Sequence, residues 1–406
     1  MAINIKNLQE RIQKKIFSVS PSTPTADLGD IVEAATLATG SLRQYDSAGL
    51  LPSVTSTQAQ IAYTKKDNAI KHKSANATTW KTLTTDAYAA GARPTPPTYS
   101  VQGSTYGWSM GGYPGPANYH NQIQRYAFAN SNDAVDQGDL LAASMHAAAV
   151  GRTATAGLRI GGRSYPGTTY SDQLSSYPFA SGSNVVASPT TLSAARAYGC
   201  HTPIQGGDDY AYVINHGLDG VYSNEILRVA TALNAAEADV GDLTETILYT
   251  AGGSSGTYGY RAGGYYWPPT SIKDTIDKWP FAATANATDV GDLTVARYDV
   301  TGNSSTTHGY GHAGMTTPGR VNTIDKYAFA SDGNATDVGD VQQVIAGAGS
   351  SNGPTDAFVH GGLGDGSAYR QNRIQKTSFA SDGNSTDLGD LVARSGDRPG
   401  STESDI

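Results

Sequence analysis

Short segments in which apolar and polar residues alternate recur along this 406-residue chain at intervals of about fifty residues. Alternation with a period of two, together with aromatic and β-branched residues, is typical of a β-strand with one buried side. The six segments are IQRYAF from residue 123, LSSYPF from 174, ILRVAT from 226, IDKWPF from 276, IDKYAF from 324 and IQKTSF from 374. The pattern therefore predicts six related strands.

Each alternating strand belongs to a longer repeat. About fifteen residues earlier comes a strand that ends in glycines, such as YGYRAGGYY from residue 258. A polar segment follows the alternating strand, written FASDGNATDVGD at 329–340 and FASDGNSTDLGD at 379–390. The polar segments begin at residues 128, 179, 231, 281, 329 and 379, so successive copies are 48 to 52 residues apart. A period of that size indicates a repeat architecture.

Repeats of this length with several antiparallel strands and no helical periodicity predict propeller blades. The repeat resembles the kelch repeat, with an AR-containing strand such as LTVAR at 293–297, a strand ending in GG and a Tyr-bearing strand. It lacks the Trp that follows in kelch repeats. Phenylalanine is the expected replacement in the core, except in the third repeat, which has Thr231; the phenylalanines are Phe128, Phe179, Phe281, Phe329 and Phe379. We therefore expect an all-β fold, a six-bladed kelch-like β-propeller with a helical N-terminal anchor and a small β-module.

A propeller ring must join its last blade to its first, or leave two exposed sheet edges. The first repeat begins with its glycine-ended strand near Tyr106 and has no LTVAR segment of its own, whereas the last repeat ends in LVAR at 391–394. We expect residues 391–398 to supply the missing strand of the first blade.

Paired aspartates recur in the last three polar segments: Asp289 with Asp292, Asp337 with Asp340 and Asp387 with Asp390. A glycosidase needs two acidic residues at one cleft, and equivalent pairs around a ring single out no such couple. We interpret the segments as turns in which Asp side chains accept backbone hydrogen bonds. Calcium binding is the less favoured alternative, because Asp332, Asn334 and Asp337 lack the usual spacing and a closing Glu. We predict no catalytic residue, no metal and no cofactor.

The histidines give little support for a metal site. His308 and His312 have HxxxH spacing, but in a strand four residues span about 13 Å, too far for one ion. His216, His312 and His360 lie near the glycine pair of their repeats. They would either line the central channel or, as we favour, pack in the interior.

Composition excludes several classes of function. A formal net charge of -8 disfavours a nucleic-acid partner. Charged residues interrupt the N-terminal segment, so we expect neither a signal peptide nor membrane insertion. The single cysteine, Cys200, cannot form an intrachain disulfide and is expected to be a small packing residue.

The N-terminal segment, residues 1–45, is predicted to be a helical anchor. Its apolar residues have spacings of three, four and four, which places them on one stripe of a helix; they are Ile5, Leu8, Ile12 and Ile16. A second helix is expected near residues 27–37. The apolar stripe needs a partner, either a neighbouring part of this chain or other proteins of an assembly, and both interpretations remain open.

Residues 46–90 form a different unit, a small β-module with two turns, and a Pro-rich linker at 91–100 leads to the propeller at 101–406. The module resembles one that is common in tailed-phage virion proteins; the matching residues are Ile61, Ala62, Tyr63, Asp67, Asn68, Trp80 and Leu83. The repeats themselves resemble those of virion proteins from phages of cyanobacteria. The resemblance implies a non-enzymatic virion component of the tail, baseplate or fibre, a homo-oligomer attached to other virion proteins by its N-terminus.

Aromatic residues are concentrated in the loops after the glycine-ended strands, in segments such as YPGPANY and YYWPPT. We expect these loops on one face of the ring, because each joins the same two strands of its blade. The candidate ligand-facing residues are Tyr113, Tyr165, Tyr265, Tyr266 and Trp267. They would either stack on a host surface glycan or pack blade against blade. A glycan-binding host-recognition module is therefore the alternative function.

Overall fold

A computed structural model describes two compact units, Met1–Pro97 and Thr98–Ile406. The residues that it describes are 43–45, 60–64, 69–73, 81–83, 102–115, 120–164, 169–180, 182, 184–200, 203–206, 209–214, 216–218, 221–266, 271–365 and 369–405. Both helices expected before residue 43 lie outside the described residues, and the described part contains no helix.

The described part of the first unit is a four-stranded sheet. Its strands, in spatial order, are Arg43–Tyr45, Gln60–Thr64, Ala69–Lys73 and Lys81–Leu83. The first two strands are parallel and the other neighbours are antiparallel. The sheet begins at Arg43, before the expected start of the β-module.

The second unit is a six-bladed β-propeller, as the repeats predicted. Each blade is a sheet of four antiparallel strands, named a to d from the centre outward. In blades 1 to 6, strand a is Gly400–Ser404, Ala149–Arg152, Gln205–Gly206, Ala251–Ser254, Thr301–Ser304 and Gly349–Asn352. Strand b is Tyr106–Met110, Ala156–Ser164, Tyr210–Val213, Tyr258–Tyr266, His308–Met315 and Asp356–His360. Strand c is Gln122–Ala127, Thr169–Pro178, Glu225–Ala230, Ser271–Pro280, Arg320–Ala328 and Arg373–Ser378. Strand d is Val135–Asp139, Val186–Thr191, Ala238–Asp242, Thr288–Asp292, Thr336–Asp340 and Thr386–Asp390.

Five two-residue strands complete the propeller. They are Ser144–Met145, Gly217–Leu218, Val221–Tyr222, Ile345–Ala346 and Leu363–Gly364. Ser144–Met145 extends the sheet of blade 2, and the other four form two small ribbons beside their blades.

The ring is closed by the end of the chain, but not by the residues that the sequence suggested. Gly400–Ser404 pairs antiparallel with Tyr106–Met110 and becomes strand a of blade 1. The expectation that residues 391–398 supply this strand was wrong. That segment is the connector that follows blade 6, and it corresponds to the LTVAR connector that follows blade 4. Closure covers the edge that Tyr106–Met110 would otherwise expose.

The a strands of neighbouring blades contact one another around the centre. They are rich in Ser, Thr, Asn and Gly, and side-chain hydrogen bonds cross from blade to blade. Ser350 Oγ donates to Gly302 O at 2.7 Å, and Ser351 Oγ donates to Thr402 O at 2.7 Å. A Cβ atom on Gly302 would lie 2.0 Å from the carbonyl oxygen of Gly252. Close packing at the axis therefore requires glycine there.

The GG pairs lie at the far end of strand b and have a second requirement. In blade 4, Gly263 and Gly264 have φ of 64° and 132°, at an irregularity in the pairing of strands b and c. Positive φ therefore explains the glycine pair.

The five repeat phenylalanines, predicted as core residues, pack between blades; Phe128 and Phe179 are buried and the other three are partly buried against the core. Each ring lies against an aromatic residue of the preceding blade. The ring-centroid distances are 4.2 Å for Phe128–Phe358, 5.4 Å for Phe179–Trp108, 4.9 Å for Phe281–Tyr212, 4.7 Å for Phe329–Tyr260 and 5.1 Å for Phe379–Tyr310.

Blades 2 and 3 lack this aromatic pair. Thr231 takes the place of Phe, and Leu158 takes the place of the partner ring. Leu233 packs in the same apolar cluster as Leu158, but a cavity of about 370 Å3 remains between the two blades, lined in part by Leu158, Thr231 and Leu233. The third repeat therefore fills the position only partly.

The polar segment is more than the turn that we predicted. Its second half, TDVGD, is strand d, and only its first half is a loop. Asp337 Oδ1 accepts a hydrogen bond from Gly339 N at 3.1 Å, so the aspartate orders the strand itself. The expectation that these aspartates are structural holds, and their place in a strand is the correction.

In five of the six described repeats, the loop half of the polar segment binds the preceding blade through the same pair of contacts. Asn334 Oδ1 accepts a hydrogen bond from Asp292 N at 3.1 Å, and Ala335 N donates to Asp292 O at 2.7 Å. We call this pair of contacts the clasp. The same side-chain contact joins Asn184 to Asp139, Asn286 to Asp242, Asn384 to Asp340 and Asp133 to Asp390.

The strand order divides the connections between two faces. The a–b and c–d connections, with the clasps, lie on one face, called the clasp face. The b–c loops and the d-to-a connectors lie on the other, called the mouth face.

The AR segments, which were predicted to be strands, are these d-to-a connectors. In LTVAR, Arg297 Nη1 lies 3.0 Å from Asp325 Oδ2, and both side chains are completely buried.

Candidate functional site: the mouth of the propeller

Six equivalent residues surround the mouth of the propeller, one in each connector. All have left-handed backbone conformations with φ between 48° and 64°: His146, Tyr198, Tyr249, Asp299, Gly347 and Asp397. That conformation is unfavourable for the five residues that are not glycine, so the tight entry into strand a imposes it. The fold therefore presents six different side chains at one repeated backbone position.

Contacts between neighbouring connectors bring these residues together. Asp299 N donates to Tyr249 O at 2.7 Å, and Gly347 N donates to Asp299 O at 2.9 Å. On the other side of the mouth, the rings of His146 and Tyr198 are 4.8 Å apart. Residues that are distant in sequence therefore form one polar cluster.

Arg398, the residue after Asp397, is the centre of the cluster. Its Nε atom donates to Asp299 Oδ1 at 2.5 Å, and its Nη1 atom donates to Asp397 Oδ1 at 3.0 Å. Its guanidinium carbon lies 3.8 Å from the ring centroid of Tyr249, a cation–π contact. Burial lowers the pKa of Arg398, but the two carboxylates outweigh burial and raise it above its usual value. The guanidinium is therefore charged at all ordinary pH values.

His146 completes the network. Its Nε2 atom lies 2.9 Å from both Asp397 Oδ1 and Arg398 Nη1, and the tautomer decides which of these hydrogen bonds forms. Burial lowers the pKa of His146, so the imidazole is neutral at neutral pH. We call His146, Tyr249, Asp299, Asp397 and Arg398 the mouth cluster. Its charges are paired with one another and largely withdrawn from solvent.

Half-buried tyrosines adjoin the mouth cluster on the same face. Tyr249, Tyr265 and Tyr298 form a triad in which the rings of Tyr265 and Tyr298 are 5.1 Å apart. The pairing of Leu248 with Tyr265 joins the connector to the end of strand b, where the b–c loop begins. This pairing shows directly that the loops after the GG pairs emerge beside the mouth.

A second aromatic group lies at blades 6 and 1. The guanidinium carbon of Arg370 is 4.1 Å from the ring centroid of Tyr113 and 5.3 Å from that of Tyr369. The guanidinium carbon of Arg320 lies 5.0 Å from the ring centroid of Tyr369. Tyr369 is 41% exposed, so this tyrosine–arginine stack reaches the solvent.

The structure places three of the five candidate ligand-facing aromatics on the mouth face. Tyr113 belongs to the tyrosine–arginine stack and Tyr265 to the triad, and Tyr266 is half-buried at the end of strand b in blade 4. Tyr165 and Trp267 lie outside the described residues. The N-terminal candidates Ile5, Leu8, Ile12 and Ile16 also lie outside them.

The histidines near the GG pairs pack in the interior. His312 and His360 are completely buried, and His216 is 3% exposed. Burial lowers the pKa of each of the three to about 3. They are neutral packing residues, and the channel-lining alternative is wrong. Cys200 is buried in an apolar cluster, as predicted.

Sequence reasoning missed the mouth cluster. Aligning the connectors at the repeat period would have revealed it, because one column contains His146, Tyr198, Tyr249, Asp299, Gly347 and Asp397. That column is the most varied chemically in an otherwise uniform segment. In the sequence, these differences look like the ordinary variation of surface loops. Only the structure shows that the six residues surround one opening.

The described residues contain no group of three or more His, Cys, Asp or Glu side chains that would hold a metal ion. They also contain no helix long and apolar enough to cross a membrane. Fold and site together define the class of this protein as a six-bladed β-propeller with a polar, aromatic-rimmed mouth. No protein-family model matches the chain, and no curated protein sequence matches it.

Proposed function

We propose that this chain is a non-enzymatic structural protein of a phage particle, part of the tail, baseplate or fibre. Its N-terminal segment attaches to other virion proteins, several copies assemble together, and the propeller is displayed outward. The resemblance of the module around Ile61–Tyr63 and of the repeats to virion proteins supports the setting.

One structural observation favours a scaffold over an enzyme. The carboxylates that recur in strand d accept backbone hydrogen bonds, as Asp337 Oδ1 does from Gly339 N, and the carboxylates at the mouth are bound by Arg398. A glycosidase keeps two carboxyl groups free at one cleft, where they act as acid and base or nucleophile. Purified full-length protein is expected to release no reducing sugar from host polysaccharide.

Analysis of whole particles tests the virion proposal. Cryo-electron microscopy of purified phage should show a six-bladed ring attached to the tail, baseplate or fibre, and mass spectrometry should detect the chain in the same particles. Leu8→Glu with Ile12→Glu should abolish incorporation while the soluble propeller keeps its melting midpoint. Particles without the chain, or normal incorporation of the double variant, would contradict the proposal.

Host-glycan binding is a second candidate, favoured by the tyrosine–arginine stack. Tyr369 is 41% exposed and packs against Arg370, and an exposed ring held in this way can stack on the apolar face of a sugar. Full-length protein should bind host cells or a glycan array, and Tyr369→Ala and Tyr265→Ala should weaken binding at least tenfold. Lys326→Ala, on the blade edge toward the clasp face, is the matched control. Equal binding by all four proteins would remove the aromatic face from the mechanism.

A further inference from the structure

A buried arginine in blade 2 lacks the carboxylate that its counterpart in blade 4 has. Arg261 of blade 4 lies opposite Asp277 in the strand register, and its Nη2 atom donates to Asp277 Oδ2 at 2.6 Å. Arg159 occupies the equivalent position in blade 2, and there the opposite residue is Ser175. The same register therefore holds an ion pair in one blade and a lone cation in the other.

Arg159 is almost completely buried, with 8% exposure. Its Nη1 atom donates to Gly161 O at 2.6 Å, and its Nη2 atom makes a long contact of 3.4 Å with Met145 O. Within the part of the chain that the structure describes, Arg159 forms no ion pair, and its Nε has no hydrogen-bond partner. Burial lowers the pKa of Arg159 to about 10, so it remains charged at neutral pH. A buried cation without a counter-charge is costly.

A cavity lies where the missing carboxylate would be. It has a volume of about 70 Å3 and is lined by Leu141, Arg159, Ser175 and other small or polar residues. In blade 4, the carboxylate of Asp277 also accepts hydrogen bonds from Thr244 N at 3.2 Å and Thr244 Oγ1 at 2.6 Å. Leu141 is the equivalent of Thr244 in the connector to blade 2. The cavity thus has a guanidinium on one side and connector backbone on another.

We propose that this cavity binds a small monovalent anion, chloride or a small carboxylate such as formate, which takes the place of the Asp277 carboxylate. The anion neutralises Arg159 and accepts a hydrogen bond from the connector backbone, as the protein's own aspartate does in blade 4. The volume exceeds the roughly 30 Å3 that one water molecule occupies in the liquid, so such an anion fits. The site is independent of the function of the mouth face.

Thermal unfolding of the full-length protein tests the proposal. Sodium chloride should raise the midpoint by about 2 °C over sodium gluconate at equal ionic strength, because a ligand that binds only the folded state stabilises it. A formate series identifies whether the site takes a carboxylate as well as a halide. Equal midpoints in chloride, formate and gluconate would mean that the cavity holds water only, and would overturn the proposal.

Two substitutions connect the effect to the cavity. Ser175→Asp restores the pattern of blade 4, so it should raise the midpoint in gluconate and remove the dependence on chloride. Asp277→Ser copies the pattern of blade 2 into blade 4 and should create a second chloride-dependent site. If Ser175→Asp kept the full chloride effect, the anion would bind elsewhere and the assignment would be wrong. A cooperative unfolding transition shows that the variant is folded, so the chloride effect can be compared directly with that of wild type.

Discussion

On the clasp face, five of the six described junctions between neighbouring polar segments repeat the same chemistry, an Asn or Asp oxygen that accepts a hydrogen bond from the preceding blade. At the junction of blades 2 and 3, Ser188 Oγ instead donates to Leu233 O. On the mouth face, the six equivalent connector residues differ and combine into a single cluster around Arg398. On the clasp face, the stabilising free energy is divided among several similar contacts. On the mouth face, it comes from one set of contacts that no other part of the ring repeats. The two faces should therefore respond differently to mutation.

Removing the closing strand breaks both faces and is expected to have the largest effect. Truncation after Pro399 deletes the partner of Tyr106–Met110 and leaves blade 1 without strand a. We expect a loss of more than about 5 kcal/mol, comparable to the whole stability of an ordinary domain, and loss of cooperative unfolding by circular dichroism. Truncation after Asp405 is the control and should unfold normally. A normal transition after the longer truncation would show that the ring does not depend on this closure.

Arg398→Met tests the mouth cluster. It leaves Asp299 and Asp397 without their cation in a buried site, and breaking such a network costs about 3–5 kcal/mol. Lys326→Met is the comparison on an exposed ion pair, with Asp382 Oδ1 2.6 Å from Nζ, and should cost less than about 1 kcal/mol. Urea unfolding measures both. Equal losses would mean that the mouth cluster is no more important than a surface ion pair.

Glu403 gives a pH dependence to the inner ring. Burial raises its pKa to about 7, because Arg152, with Nε 3.9 Å from Oε1, is too distant to offset desolvation. Between about pH 4.5 and 7 the folded state holds a proton that the unfolded state releases, so stability contributed by this group falls as the pH rises. In urea unfolding, the free energy of unfolding of Glu403→Gln, relative to that of wild type, should rise by about 3 kcal/mol when the pH is raised from 4.5 to 8. A constant difference between the two proteins would refute the assignment.

Thr231→Phe should make blade 3 more regular. The new ring would enter the cavity beside Leu158 and fill the position that phenylalanine occupies in the other five repeats. Cavity filling commonly gains about 0.5–2 kcal/mol, measured here as a higher unfolding midpoint. Phe281→Thr is the matched change in blade 4 and should lower the midpoint. A destabilised Thr231→Phe would show that Leu233 already determines the packing.

The clasps are expected to give the smallest individual effects. Asn334→Ala removes the acceptor of Asp292 N and should cost about 1 kcal/mol in urea unfolding. Because Asn286 and Asn384 lie in different clasps, their alanine variants should cost similar amounts, and combinations should be nearly additive. A single clasp that cost as much as Arg398→Met would contradict the interpretation that the stabilising free energy is divided among the clasps.

Particular residues show how far sequence reasoning reached. The alternation in IDKYAF predicted strand c correctly, and the phenylalanine after it was recognised as a core residue. TDVGD was interpreted as a turn because its apolar content is low and its glycine has no strand propensity. Its position at the outer edge, with one side in solvent, allows this composition. Arg297 was placed in a strand because neither its burial nor its partner, Asp325, is visible from local pattern.

The sequence by itself determined the all-β class, the number of blades and the period, because alternation and repetition are properties of neighbouring residues. Tertiary structure alone decided the rest. It showed that the chain closes at Gly400–Ser404, that Arg159 faces Ser175, and that six unlike residues surround one mouth. These relations join residues about fifty to three hundred positions apart or across strands, and their free energy comes from burial and pairing in three dimensions, which no local pattern records.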